Sequence, residues 1–223
     1  MDVLVTGGDT ELGRTVAEGF LEAGHTVVLC GVRRDELEVA AKELEVDAVV
    51  CDTTDPANLV SVRSEFPHHL DSIINVPAPA WVAGDPRTFS LADTAKAWRA
   101  GLDATVVSAV LLVQNIGDHL RSGGSIVTVV AENPRDGSYE AAVKAALSNW
   151  TAGQADYFGT RGITINTVAC GRSSQPSYDG LTSTPPSVAS EIARLAVFLT
   201  TRAARHITGQ TLHVGRGALA NFG

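Results

Sequence analysis

Apolar residues follow two alternating rhythms along this chain. Nearly continuous β-branched runs give way to stretches with apolar positions three and four apart, and the exchange repeats to the end. The first rhythm suits a strand covered on both faces, the second a helix lying on a sheet. DVLVTG (2–7) reads as a buried strand, and LGRTVAEGFLEAG as a helix closing at Gly24. HTVVLCG (25–31) is a strand, DELEVAAKEL (35–44) a helix, DAVVCD (47–52) a strand, and 56–66 a helix. SIINVPA (72–78) is a strand, followed by a Pro- and Gly-containing loop and a long helix from Leu91 to His119. GSIVTVVA (124–131) is a strand and precedes a helix that carries Lys144 and runs to Gly159. ITINTVAC (163–170) is a strand, 171–186 a polar loop, SVASEIARLAVFLTT a helix and QTLHVGRG a last strand. Seven strands and six helices in alternation predict an α/β fold: a three-layer, doubly wound sheet of mainly parallel strands with helices on both faces.

The 223 residues carry no linker, repeat or low-complexity stretch, so one domain over 1–223 is expected. The net charge of −8 comes without any lysine- or arginine-rich block, which argues against nucleic acid and anionic membrane as partners. No run of about 18 apolar residues is present and the N-terminus enters a strand pattern at once, so a cytoplasmic protein is expected. Cys30, Cys51 and Cys170 lie far apart without CxxC spacing and read as reduced thiols in or near strands. The six histidines form no ligand set, so no metal is expected.

The chemistry begins at VTGGDTELGR, between the first strand and the first helix. A glycine-rich turn there can present backbone N–H groups and a helix N-terminus to a diphosphate, although glycine in such a turn is also ordinary chain geometry. Further landmarks follow in order: CDTTD (51–55), DSIINVPA (71–78), WRAGLDATV (98–106), GGSIVTVVA (123–131), VKAALSNWT, RGITINTVACG (161–171) and HITGQTLHVGRG. In these motifs, over nearly its whole length, the chain resembles the short-chain dehydrogenase/reductase family. The resemblance implies a Rossmann-like fold and a nicotinamide dinucleotide. It also implies a catalytic tetrad of asparagine, serine, tyrosine and lysine.

Carried over position by position, that tetrad is mostly replaced. KAAL fixes Lys144 as the lysine. The tyrosine position, four residues earlier on the same helical face, is Glu140. Tyr139 is turned about 100° away from it. The serine position is Ala131 and the asparagine position Thr105. A carboxylate ordinarily titrates near about 4.3 and lower beside an ammonium, so Glu140 cannot give a carbonyl its proton at neutral pH. As a base it remains possible. Glu four residues before Lys is equally a favourable helix ion pair, worth about 0.2–0.5 kcal/mol.

The implied cofactor positions are Gly7, Thr10, Glu11, Leu12, Gly13, Arg33, Asp52, Thr53, Asn75, Lys144 and Gly171. Glu11 stands where the family has its second glycine, adding bulk and charge at the diphosphate. It is also a carboxylate favoured in a helix's first turn, or an occupant of the anion site itself. Val76 and Pro77 follow Asn75, and Cys170 replaces the proline before Gly171. No acidic residue ends the second strand, and Arg33 and Arg34 could hold a 2′-phosphate, so NADP(H) is expected over NAD(H), bound weakly or not at all. The pair also suits a solvated helix start. Asp52 and Thr53 could frame adenine, or Asp52 could begin a turn. The helices at 91–119 and 140–159 are the family's subunit interface, so a homodimer or homotetramer is implied. Two functional readings stand. One is a catalytically impaired binding or regulatory member. The other is an NADP(H)-dependent carbonyl or alcohol oxidoreductase using Tyr139, Tyr178 or Glu140 as its acid or base.

Overall fold

The computed structural model describes residues 1–78, 88–130, 139–170 and 188–214, with the side chains of Tyr139, Glu140 and Cys170 outside the described set. Seven strands form one parallel sheet in the order β3-β2-β1-β4-β5-β6-β7. They are β1 (Asp2–Val5), β2 (Thr26–Gly31), β3 (Asp47–Val50), β4 (Leu70–Asn75), β5 (Leu120–Val130), β6 (Thr164–Cys170) and β7 (Thr211–Val214). The predicted doubly wound α/β architecture is the observed one.

Helices cover both faces because strand residues alternate sides. On one face α1 (Glu11–Glu22), α2 (Arg34–Leu44) and α7 (Val188–Leu199) bury Val16, Phe20, Leu37 and Ile192 against Val3, Val5, Leu29 and Val127. On the other, Leu4, Ile73 and Ile126 meet residues of α3 (Pro56–Val62), α5 (Ser108–Ile116) and α6 (Tyr139–Gly159): Leu59, Leu112, Ile116 and Phe158. The chain winds outward in opposite directions from the β1–β4 junction, and such a reversal opens a crevice at the carboxyl ends of the strands.

Three departures from the predicted elements have local causes. The helix expected over 91–119 is α4 (Leu91–Leu102), a π turn at Asp103–Val107, α5 and a final 3₁₀ turn. Within it the Ser108 hydroxyl donates to the Ala104 carbonyl at 2.7 Å, a back-bond of the kind that bends helices. This run contains an 18-residue window of mean hydropathy 1.4. Ala97, Ala109, Leu112 and Ile116 along it are buried in the protein. β5 starts at Leu120, before the expected 124, because an irregularity between Leu70 and Ser72 lets Leu120 pair ahead of the main ladder. β3 stops at Val50 because Asp52 already belongs to the next turn: its carboxylate accepts from the Thr54 amide at 2.9 Å and hydroxyl at 2.6 Å.

Candidate active site

The crevice begins at the turn between β1 and α1. Gly7 takes φ +65°, and a Cβ there would lie 2.7 Å from the Val76 carbonyl oxygen. At Gly13 a Cβ would fall 2.0 Å from the Gly7 carbonyl oxygen. The two glycines therefore let β1, β4 and α1 close on one another. Thr10 caps α1: its hydroxyl accepts from the Gly13 amide at 3.1 Å and donates to the Gly7 carbonyl at 2.7 Å. Leu12 packs into the core. Among the described residues, the amides of Glu11 and Leu12 have no acceptor, which leaves a helix N-terminus able to receive an anion. Glu11 is exposed there, and its carboxylate has no hydrogen-bond or ion-pair partner among the described residues. It stands at the open N-terminus of α1 without being bonded into it.

Behind the turn, Thr6 and Asn75 tie β1 to β4. The Thr6 hydroxyl donates to Asn75 Oδ1 at 2.9 Å and accepts from the Val76 amide at 2.9 Å. Asn75 is thus a fastener, and its buried Nδ2 has no partner among the described residues. Asp52 is likewise a turn-builder, the second of the two roles read for it; its amide also donates to Asn58 Oδ1 at 2.7 Å. Thr53 lies half-buried in the same turn.

Arg33, read as a candidate 2′-phosphate ligand or part of a solvated helix start, is ion-paired. Its Nε donates to Asp9 Oδ2 at 3.0 Å, and a second guanidinium nitrogen donates to the Asp9 carbonyl. The third reaches Glu36 at 3.2 Å. Arg34 pairs with Glu38 at 3.3 Å. Asp9 went unnoticed in the sequence because its partner Arg33 is brought close only by the return of the chain through β2.

At the other end of the crevice, Thr105 lies half-buried in the π turn, which packs against α6. Lys144 is half-buried near the start of α6, and its Nζ stands 3.3 Å from His213 Nδ1 on β7. Burial holds the Lys144 amine below its usual value. Burial and then the neighbouring Lys144 hold the His213 imidazole below its own. His213 was also missed. Strand alternation carried the only signal: Leu212 and Val214 face the α1–α7 core, so position 213 must face α6. Ala131, Gly171 and Tyr178 lie outside the described residues, as do the side chains of Tyr139 and Glu140; the backbone does place 140 in the first turn of α6.

His213 is expected to make the folded protein sensitive to acid. Below the unfolded value of 6.5, the unfolded chain binds a proton here that the folded chain declines, so stability falls as pH drops from 6.5 towards the lowered folded value. His213→Gln is expected to flatten the melting temperature across that window. An unchanged slope would show that His213 is not a source of it.

Cys30 and Cys51 are buried free thiols at the ends of β2 and β3. A hydrogen bond with Cys51, then burial, pushes the Cys30 thiol up.

An open parallel sheet with a glycine turn at its reversal point defines a dinucleotide-binding class of fold. Comparison with known proteins narrows the class. Residues 9–218 match a family model described as Enoyl-(Acyl carrier protein) reductase. A Mycobacterium tuberculosis protein, provisionally named an oxidoreductase, is 73% identical over 223 residues, covering 100% of both chains. Gluconate 5-dehydrogenase of Gluconobacter oxydans is 30% identical, over 96% of this chain and 93% of its own. The crystal structure of a short chain dehydrogenase from Burkholderia cenocepacia in complex with NADP superposes with a TM-score of 0.77 at 26% identity, over 96% of this chain and 95% of that one. The chain belongs to the short-chain dehydrogenase/reductase family.

Proposed function

We propose that this protein binds a nicotinamide dinucleotide but has lost the family's ordinary proton-transfer chemistry, and acts as a binding or regulatory member. One observation carries the reading. Lys144, the single tetrad group retained, rests on His213, while Ala131 and Thr105 bring neither the serine nor the asparagine to the site. The turn fits a dinucleotide: Gly7 and Gly13 keep their tight packing, and two first-turn amides have no acceptor among the described residues. The amides of Glu11 and Leu12 would face the diphosphate. Bound there, a reduced dinucleotide would supply a hydride. With Ala131 and Glu140 in place, the chain lacks the hydroxyls that would orient a carbonyl and protonate it.

With millimolar NADH or NADPH and a panel of aldehydes and ketones, no substrate-dependent loss of absorbance is expected. A turnover approaching the typical about 10 s⁻¹ would contradict the proposal. Glu11→Gly is expected to tighten dinucleotide binding by about twofold to fivefold, the worth of one carboxylate at a helix N-terminus. Unchanged affinity would clear Glu11 of any part in weak binding.

The Lys144–His213 contact favours a second reading, a residual oxidoreductase in which the Lys144 ammonium is the acid. Turnover abolished by Lys144→Met would support it. Tyr139, Tyr178 and Glu140 are the other candidates, and the same assay on Tyr139→Phe, Tyr178→Phe and Glu140→Gln separates them. We also place the protein in the cytoplasm, where its buried free thiols Cys30 and Cys51 stay reduced. There it forms a homodimer or homotetramer through the helical run 91–119 and α6, the latter carrying the exposed Tyr157 ring. A monomer mass by sedimentation would contradict the assembly.

A further inference from the structure

We infer that Asp9 sets which dinucleotide this crevice accepts, by consuming Arg33 and so selecting a dinucleotide with a free ribose 2′-hydroxyl over one with a 2′-phosphate. The inference rests on the proposal that a dinucleotide binds at all.

In folds of this kind the residues just past β2 meet the adenosine ribose; a carboxylate there takes the diol and an arginine takes a 2′-phosphate. Here β2 ends in Gly31, and the next charged side chain is Arg33. The space above Gly31 is filled from the glycine turn. A Cβ on Gly31 would lie 2.6 Å from Asp9 Oδ1, so the Asp9 carboxylate sits where a side chain at the end of β2 would start. Asp9 is 4% exposed. Its Oδ2 accepts from both the Arg33 amide at 3.2 Å and Arg33 Nε at 3.0 Å, while its carbonyl accepts from another Arg33 nitrogen. With Glu36 on the third nitrogen, each guanidinium nitrogen of Arg33 already donates one hydrogen bond, and its charge is flanked by the Asp9 and Glu36 carboxylates.

The neighbouring cations are paired as well, although Arg14 Nε has no partner among the described residues. Arg34 faces Glu38, and Arg14 donates to the Glu36 carbonyl at 2.9 Å with its other nitrogen 3.8 Å from Glu43. A 2′-phosphate would therefore meet arginines already paired with carboxylates, and recruiting Arg33 would weaken its pairing with the buried Asp9 carboxylate. Breaking such a pair leaves a buried charge stranded, which is strongly unfavourable. A 2′-hydroxyl makes no such demand. Asp9 Oδ1 is buried without a hydrogen-bond partner among the described residues.

The test is calorimetric titration of the wild type, Asp9→Ser and Asp9→Asn with NADH and with NADPH. The wild type is expected to bind NADH at least tenfold more tightly. Asp9→Ser frees Arg33 and is expected to move the ratio at least tenfold towards NADPH. Asp9→Asn keeps the shape and one hydrogen bond, guards against loss of the fold, and is expected to move the ratio the same way by less. Wild-type preference for NADPH, or an unchanged ratio in a folded Asp9 variant, overturns the inference while leaving dinucleotide binding in place. Absence of both ligands from all three proteins overturns both.

Discussion

Thr105→Asn, Ala131→Ser and Glu140→Tyr, combined in one protein, are expected to raise dinucleotide-linked carbonyl reduction by roughly 10²–10⁴-fold, the usual worth of a positioned acid. The fold already supplies the frame. Lys144 is held near the start of α6, position 140 lies one helical turn before it, and position 105 sits in the π turn against that helix. The new phenol would stand beside an ammonium that favours its ionised form. The three changes act as a unit, so each alone is expected to yield little. Initial rates with NADH and NADPH across a carbonyl panel decide the matter. A triple variant that folds, binds dinucleotide and remains as inert as the wild type would show that the chemistry was lost for a reason other than these side chains.

Gly13→Ala is expected to be the most damaging small substitution in the turn. Its Cβ would stand 2.0 Å from the Gly7 carbonyl oxygen and 3.0 Å from the Gly8 nitrogen, both backbone atoms that cannot swing away. Helix α1 would have to move off β1, and a loss above about 3 kcal/mol is expected, a large part of a typical domain's stability. Gly24→Ala is the control. Gly24 has φ +79° but nothing within 4 Å of a Cβ, so only backbone strain of about 1 kcal/mol applies. Urea midpoints for the two variants compare them directly. A Gly13→Ala cost no greater than that of Gly24→Ala would contradict the tight closure of the turn.

The sheet was legible because buried parallel strands write themselves as apolar runs, and Val3–Val5, Ile73–Ile74 and Ile126–Val127 are all nearly fully buried. The glycine turn was legible because only glycine fits where Gly7 and Gly13 stand. The π turn was hidden, since DATVV is compatible with ordinary helix and the back-bond of Ser108 is a matter of geometry. The ion pairs were hidden more deeply. Asp9 and Arg33 are 24 residues apart, and Lys144 and His213 are 69 apart, so each meeting depends on strand order and register. Arg33 looked like a phosphate ligand because no acidic residue ends the second strand; in three dimensions its partner is a carboxylate from another turn. The tetrad positions are what the family resemblance implies, whereas the Lys144–His213 contact needed β7 in place.

The central claim is that the crevice still holds a dinucleotide after losing most of its catalytic groups. Calorimetric titration of the wild-type protein with NADH up to about 1 mM tests it most directly. A saturable heat with a dissociation constant tighter than 1 mM, stronger than about −4.1 kcal/mol, is the predicted result. A flat titration would contradict the claim.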